Sequence, residues 1–165
     1  MATATRVDLE AFVATEYPRV VAAVRLITGN REGAADAVQD ALVGLLSAPP
    51  AREIDNYAAY ITVVASNKAR DAMRRKGAES RAYDKLPVPR EDAADDLAGL
   101  DIDVAAAVRA LPDKQRTICV LHYLMDHSVE QIADGMGVTT GTVKTQLHRA
   151  RQTLAARLGK EAGDE

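Results

Sequence analysis

The fold of this chain is decided by the stretch SVEQIADGMGVTTGTVKTQLHRARQTL, residues 128–154. Ser128 and Gln131 have the spacing of a capping box, which predicts that a short helix begins here. Gly137 suits a turn that needs a positive φ, and Thr139 is a good cap for a second, longer helix. Two helices joined by so tight a turn predict a helix-turn-helix.

The second helix has a buried face and an exposed basic face. Its apolar residues are spaced by four, three and four positions: Val143, Leu147, Ala150 and Leu154. The opposite face carries small polar and basic residues, with two arginines on its flanks: Thr140, Gly141, Lys144, Thr145, His148, Arg149 and Arg151. Small polar side chains can approach base edges while cations bind phosphates, so this helix is typical of DNA recognition. The alternative is an ordinary amphipathic hairpin with a basic outer face.

Helical patterns also precede this motif, and they predict an all-α fold of two small domains. Apolar stripes run through residues 9–27, 35–45 and 57–72, with Pro18 interrupting the first and Gly29 ending it. Asp55 or Asn56 caps the third helix. Residues 78–102 lose the periodicity and contain two prolines and an acidic run. We therefore expect an N-terminal domain over 1–77, a flexible acidic linker over 78–102, and a C-terminal helix-turn-helix domain over 103–160.

The distribution of charge matters more than its total of −3. The acidic excess lies in the middle, where residues 86–103 carry six acids and one arginine. Basic residues concentrate near 68–76 and again near 144–160. Two such patches favour contact with a phosphate backbone, although either alone could be a solvated helix face.

Several classes of protein are disfavoured. The one cysteine, Cys119, excludes an internal disulfide and is compatible with a reducing cytoplasm. No signal peptide or membrane span is visible, so we expect a cytoplasmic protein. Cys119, His122 and His127 lack the spacing of a zinc site, so we expect a core cysteine and two exposed histidines. Without a nucleophile–base constellation or phosphate loop, we expect no catalysis, cofactor, metal or small-molecule substrate.

The C-terminal half resembles the extracytoplasmic-function (ECF) sigma factors of bacterial RNA polymerase. The similarity is carried by ALPDKQRTICVLHY at 110–123, SVEQIA at 128–133 and GTVKTQLHRAR at 141–151. It implies that this domain binds the minus-thirty-five promoter element in the major groove. Lys144, Thr145 and His148 would then contact bases, with Thr140 on the same face and Arg116 and Arg149 as phosphate anchors.

The N-terminal half is similar to the other domain of that family. The segment DAVQD at 36–40 resembles the patch that binds the clamp helices of the largest polymerase subunit, which implies docking through Asp36, Gln39 and Asp40. A solvated acidic face is the alternative. The segment SNKARD at 66–71 and the RRK run at 74–76 resemble the part that contacts the minus-ten element, which implies roles for Asn67, Lys68, Arg70, Arg74 and Arg75.

The chain departs from the family where aromatics are expected. Leu45 and Leu46 stand where a tryptophan is common, and the loop 47–56, which in the family captures a flipped base, has no aromatic. Aromatic side chains stack on single-stranded bases, so here backbone and polar groups must form any pocket.

The resemblance predicts a transcription initiation factor that binds core RNA polymerase and promoter DNA, with an anti-sigma factor as a further candidate partner. One rival is a stand-alone helix-turn-helix regulator, which would bind DNA without polymerase. The other is a sigma mimic that sequesters an anti-sigma factor and never initiates.

Overall fold

The computed structural model describes residues 10–51, 53–80 and 101–163, and these residues form helices and connecting turns with no strand. After a helical turn at 10–15, the N-terminal domain contains α1 (Tyr17–Thr28), α2 (Ala34–Ser47) and α3 (Tyr57–Ser80). The C-terminal domain contains α4 (Ile102–Arg109), α5 (Asp113–Cys119), a π-helical turn (Val120–Leu124), α6 (Val129–Met136) and α7 (Thr140–Gly163). The all-α, two-domain prediction is confirmed.

The residues predicted to interrupt, end or cap helices in the N-terminal domain do so in the structure. Pro18 lies in the first turn of α1, where its missing N–H costs nothing. Gly29 ends α1 in the left-handed region, with φ +73°. Asn30 then accepts a hydrogen bond from the backbone N–H of Gly33 at 2.8 Å. Of the two candidates for the cap of α3, Asn56 fills the role, because its Oδ1 accepts from the N–H of Ala59 at 3.0 Å.

The helix-turn-helix prediction is also confirmed. Ser128 and Gln131 form both bonds of the capping box. Gly137 ends α6 with φ +68°, and Thr139 accepts from the N–H of Thr142 at 3.2 Å at the start of α7. After α5 the helix widens into the π turn, which is closed by a bond from the N–H of Met125 to the carbonyl of Val120.

The two domains pack directly on one another, which the sequence did not predict. Buried apolar side chains of α1, α2 and α3 form one continuous cluster with those of the C-terminal domain. Contact is made where α6 lies against α3 and where the π turn lies against α1. Helix α3 extends to Ser80 and α4 begins at Ile102, so only the ends of the predicted linker 78–102 fall within the described residues.

Candidate DNA and polymerase interfaces

The recognition face of α7 points to solvent along its whole predicted length. Thr140, Lys144, Thr145, His148 and Arg149 are all exposed. On the opposite face Val143, Leu147 and Ala150 are buried in the core. The structure thus brings together five of the six residues predicted to contact the minus-thirty-five element.

Tyr123 is an exposed residue beside this face that sequence reasoning did not single out. The guanidinium of Arg151 lies 5.7 Å from the centroid of the Tyr123 ring and donates to its hydroxyl. His122 packs edge-on against the same ring, with 4.8 Å between centroids. Arg151, which the helical pattern placed on the flank of the recognition face, is therefore directed towards the π-helical turn.

The sixth predicted residue, Arg116, has a different environment. Its side chain is only 17% exposed. One guanidinium nitrogen donates to the carbonyl of Ile27 at 2.7 Å and the other to the carbonyl of Leu111 at 2.7 Å. In this arrangement Arg116 joins α5 to the end of α1 and is not presented to a phosphate.

The surface predicted to meet the minus-ten element lies on α3. Asn67, Lys68, Arg74 and Arg75 are exposed, with Arg74 at 3.7 Å from the carboxylate of Asp71. Arg70 departs from the prediction, because it is half-buried and donates to the hydroxyl of Thr117 at 3.0 Å. The structure therefore assembles four of the five residues into one open surface and directs Arg70 to the C-terminal domain.

The predicted polymerase-docking residues form one exposed stripe on α2. Asp36, Gln39 and Asp40 face solvent, and they are followed by Val43 and Leu46, each 60% exposed. Sequence reasoning missed these two apolar residues, although their helical spacing from Asp36 and Asp40 places them on the same face. Exposed apolar side chains that continue a polar patch are a common feature of protein-binding surfaces.

The loop 47–56 contributes a polar group at its end, but that group is already bonded. With Oδ1 of Asn56 accepting from Ala59, its Nδ2 donates to Nδ1 of His127 at 3.0 Å. His127 belongs to the C-terminal domain and is only 7% exposed. The polar end of the candidate base-binding loop is thus covered by the other domain.

The prediction of two exposed histidines was wrong. His127 is buried, and His122 is half-buried with Nδ1 at 3.0 Å from the carbonyl of His127. Burial lowers the pKa of His127 below its ordinary value, and Arg19 acts in the same direction, while Glu16 and Asp126 oppose it. The contact with Asn56 of the other domain could not be predicted from the residues around His127.

Cys119 is a core cysteine, as predicted, and burial raises the pKa of its thiol to about 11. Within 10–51, 53–80 and 101–163, no three side chains of the kinds that bind metals come together. None of the helices in those ranges is long and apolar enough to cross a membrane.

Comparison with known proteins matches both domains in order. Residues 12–79 match the family described as Sigma-70 region 2, and residues 102–154 match Sigma-70, region 4. The RNA polymerase sigma-E factor of Streptomyces coelicolor is 30% identical over 91% of this chain and 88% of its own length. The ECF RNA polymerase sigma factor SigM of Mycobacterium tuberculosis is 32% identical over 82% of this chain and 69% of its own length.

Other relatives are longer. The chain is 27% identical to the ECF RNA polymerase sigma factor SigE of Mycolicibacterium smegmatis but spans 56% of that protein. Among solved structures, the sigma factor RpoE in complex with the anti-sigma factor NepR from Bartonella quintana shares the fold. Its TM-score is 0.69 over 92% of this chain and 97% of that one, at 23% identity. With both regions in order and relatives at 30% and 32% identity, the chain belongs to the extracytoplasmic-function family of RNA polymerase sigma factors.

Proposed function

We propose that this chain binds core RNA polymerase and directs it to promoters by contacting the minus-ten and minus-thirty-five elements. The observation that carries the proposal is the exposure of the full recognition face of α7 on a completely capped helix-turn-helix. The protein supplies no catalysis, because the polymerase carries out the chemistry, and it acts in the cytoplasm, where promoter DNA is found.

Each exposed surface has a role in this proposal. Lys144, Thr145 and His148 contact bases of the minus-thirty-five element, and Arg149 binds a flanking phosphate. The open surface of α3 follows the minus-ten strand through Asn67 and the cations that come after it. The stripe on α2 that begins at Asp36 docks on the polymerase, with Val43 and Leu46 as its apolar part.

An anti-sigma factor is a further proposed partner. Its support is the fold shared with a sigma factor solved in complex with one. A partner of this kind would bind the free protein and lower its access to polymerase.

In vitro transcription with core polymerase on a promoter library tests the assignment of the recognition helix. Replacing Lys144 or His148 by alanine should change the preferred upstream element, because each removes a group from the exposed face. Loss of a base contact should cost about 1–3 kcal/mol at the affected position, roughly a five- to 150-fold change in preference. Lys114→Ala, which removes an exposed lysine from α5, is the matched control and should leave the preference unchanged. An unchanged preference in all three variants would contradict the assignment.

Docking is tested separately by co-purification with core polymerase. Asp40→Arg or Val43→Asp should reduce capture of the protein, since one reverses the charge of the stripe and the other places a charge in its apolar part. Glu130→Arg, at an exposed position of α6, is the control. Equal capture of all variants would refute the docking surface.

Binding of promoter DNA as a dimer without polymerase would instead support a stand-alone regulator.

A further inference from the structure

Tyr123 stands out among the residues of the π-helical turn because its side chain is in solvent. It is 46% exposed, whereas Val120 and Leu121 of the same turn are buried. Turns of this kind are rare and occur often at functional sites. Tyrosine is one of the side chains that donate hydrogen bonds to DNA phosphates or hold other donors near them. Its place beside the recognition face of α7 makes Tyr123 a candidate for a role in DNA binding.

The segment around Tyr123 holds its ring in a fixed position. The N–H of His127 donates to the carbonyl of Leu121 at 2.9 Å, which closes the segment that contains the tyrosine. Nδ1 of His122 lies 3.0 Å from the carbonyl of His127, and since a carbonyl only accepts, this nitrogen carries a proton. The His122 ring in turn packs edge-on against Tyr123. All of these contacts lie within the C-terminal domain.

The partner of Tyr123 is an arginine that keeps its full charge. Nε of Arg151 donates to the Tyr123 hydroxyl, which is neutral. Arg116 and Arg74 each lie beside a carboxylate, but Arg151 has no carboxylate partner among the residues that the structure describes. The position of this guanidinium is therefore set by a neutral group, and its charge is left for an anion.

Arg151 also lies in line with the residues proposed to contact bases. Lys144, His148 and Arg151 follow one another at intervals of four and three residues, which puts them on one side of α7, and all three are exposed. Arg151 is about 10 Å further along the helix axis than Lys144. The first residues of a recognition helix contact base edges, and the major groove is about 12 Å wide. A cation at this distance reaches the edge of the groove, where the phosphates lie.

The remaining donors of Arg151 suit a phosphate. Tyr123 takes the Nε–H, so both terminal nitrogens of the guanidinium stay available among the described residues. These nitrogens form a planar fork that matches two oxygens of a phosphate. A long side chain loses rotamer freedom when it binds a ligand, and the bond to Tyr123 removes part of that freedom beforehand. The pair is thus organised for an anion before DNA is present.

We propose that Tyr123 is a positioning residue for DNA binding, which holds the Arg151 guanidinium at the end of the recognition face so that it binds a backbone phosphate of the minus-thirty-five element. The inference rests on the proposed function and deepens it, because it adds a phosphate contact to the same DNA surface. A phosphate contact carries no base specificity, so it strengthens binding to every upstream element alike.

The phosphate contact is tested with the full chain bound to core polymerase. Binding of this holoenzyme to labelled promoter DNA is measured by fluorescence anisotropy over a range of salt concentrations. Arg151→Ala should weaken binding roughly tenfold at 0.1 M salt and reduce the slope of log affinity against log salt by about one. Two promoters that differ only in the upstream element should show the same factor. Arg157→Ala, an exposed arginine roughly 120° around α7 from Arg151, is the matched control and should match the wild type.

The positioning role of Tyr123 is tested by removing its hydroxyl alone. Tyr123→Phe should weaken promoter binding about threefold or more, because Arg151 loses the bond that holds it. The hydroxyl acts through Arg151, so Tyr123→Phe/Arg151→Ala should bind within about twofold of Arg151→Ala. Thermal unfolding of each variant, measured in parallel, should give midpoints close to that of the wild type.

The outcomes separate this inference from the proposed function. Equal affinity and equal salt slope for Tyr123→Phe and the wild type would overturn the positioning role, even if the unfolding midpoint falls, because the pair would then only fasten the π turn to α7. A double variant weaker than Arg151→Ala by the full factor of Tyr123→Phe would overturn it as well. Either result leaves the proposed function intact. Absence of promoter-specific binding by the wild-type holoenzyme would overturn the proposed function, and this inference with it.

Discussion

Replacing Arg116 by alanine distinguishes a residue that joins the domains from one that only binds DNA. The substitution removes two hydrogen bonds of 2.7 Å from a half-buried guanidinium, to Ile27 and to Leu111. A bond to a charged group contributes about 1.5–3 kcal/mol, and a carbonyl left without a partner adds to the cost. The pair with Asp113, whose carboxylate is largely exposed, contributes little. We expect the free energy of unfolding to fall by about 3 kcal/mol.

Urea denaturation followed by circular dichroism measures this change. Arg149→Ala is the matched control, because the sequence assigned both arginines to phosphates but Arg149 is exposed on α7. Its free energy of unfolding should change by no more than about 0.5 kcal/mol. If Arg116→Ala has an equally small effect and instead lowers the salt dependence of DNA binding, Arg116 acts only as a phosphate anchor. That result would refute the bonds across the domain contact.

Three further predictions follow from single residues. Gly137→Ala should destabilise the protein by about 1 kcal/mol, because a β carbon is unfavourable at φ +68°. Gly77→Ala should stabilise it slightly, because residue 77 lies inside α3 and alanine favours a helix more than glycine does. Thermal unfolding of both variants measures the difference. The free energy of unfolding should fall as the pH drops below about 6.5, the ordinary pKa of histidine, because the unfolded chain then binds the proton that burial of His127 excludes in the folded protein; urea denaturation at pH 7.5 and 5.5 should show the loss, and His127→Asn should lose less stability over that range. Cys119, with a pKa of about 11, should resist a thiol reagent at pH 7 in the folded protein and react promptly in urea; rapid reaction of the folded protein would contradict its burial.

Local signals predicted most of the fold. The ends of the helices are set by residues that bond to backbone groups within one helical turn. Examples are the N-cap Asn56, the capping box of Ser128 and Gln131, and Gly137 with its left-handed backbone. These bonds span three or four residues, so the sequence contains both partners side by side. The exposed surface of α7 was predictable for the same reason, since the 3.6-residue period of a helix determines which nearby residues share its buried face and which share its exposed face.

What the sequence could not reveal is everything that depends on contact between the domains. Arg70 and Arg116 were assigned to DNA because a cation on a helix gives no sign of a carbonyl or hydroxyl far away in the chain. His127 was expected to be exposed because its contact with Asn56 joins residues that are far apart in the chain. The two apolar residues at the end of the α2 stripe were overlooked for a different reason, since exposed apolar side chains carry no marker until burial is known.

The exposure of the α2 stripe while the two domains are in contact has a kinetic consequence under the proposed function. If this stripe docks on polymerase, the first encounter needs no rearrangement of the chain. We therefore expect the rate of association to rise in proportion to polymerase concentration. Variants that change the contact between the domains should leave that slope unaltered.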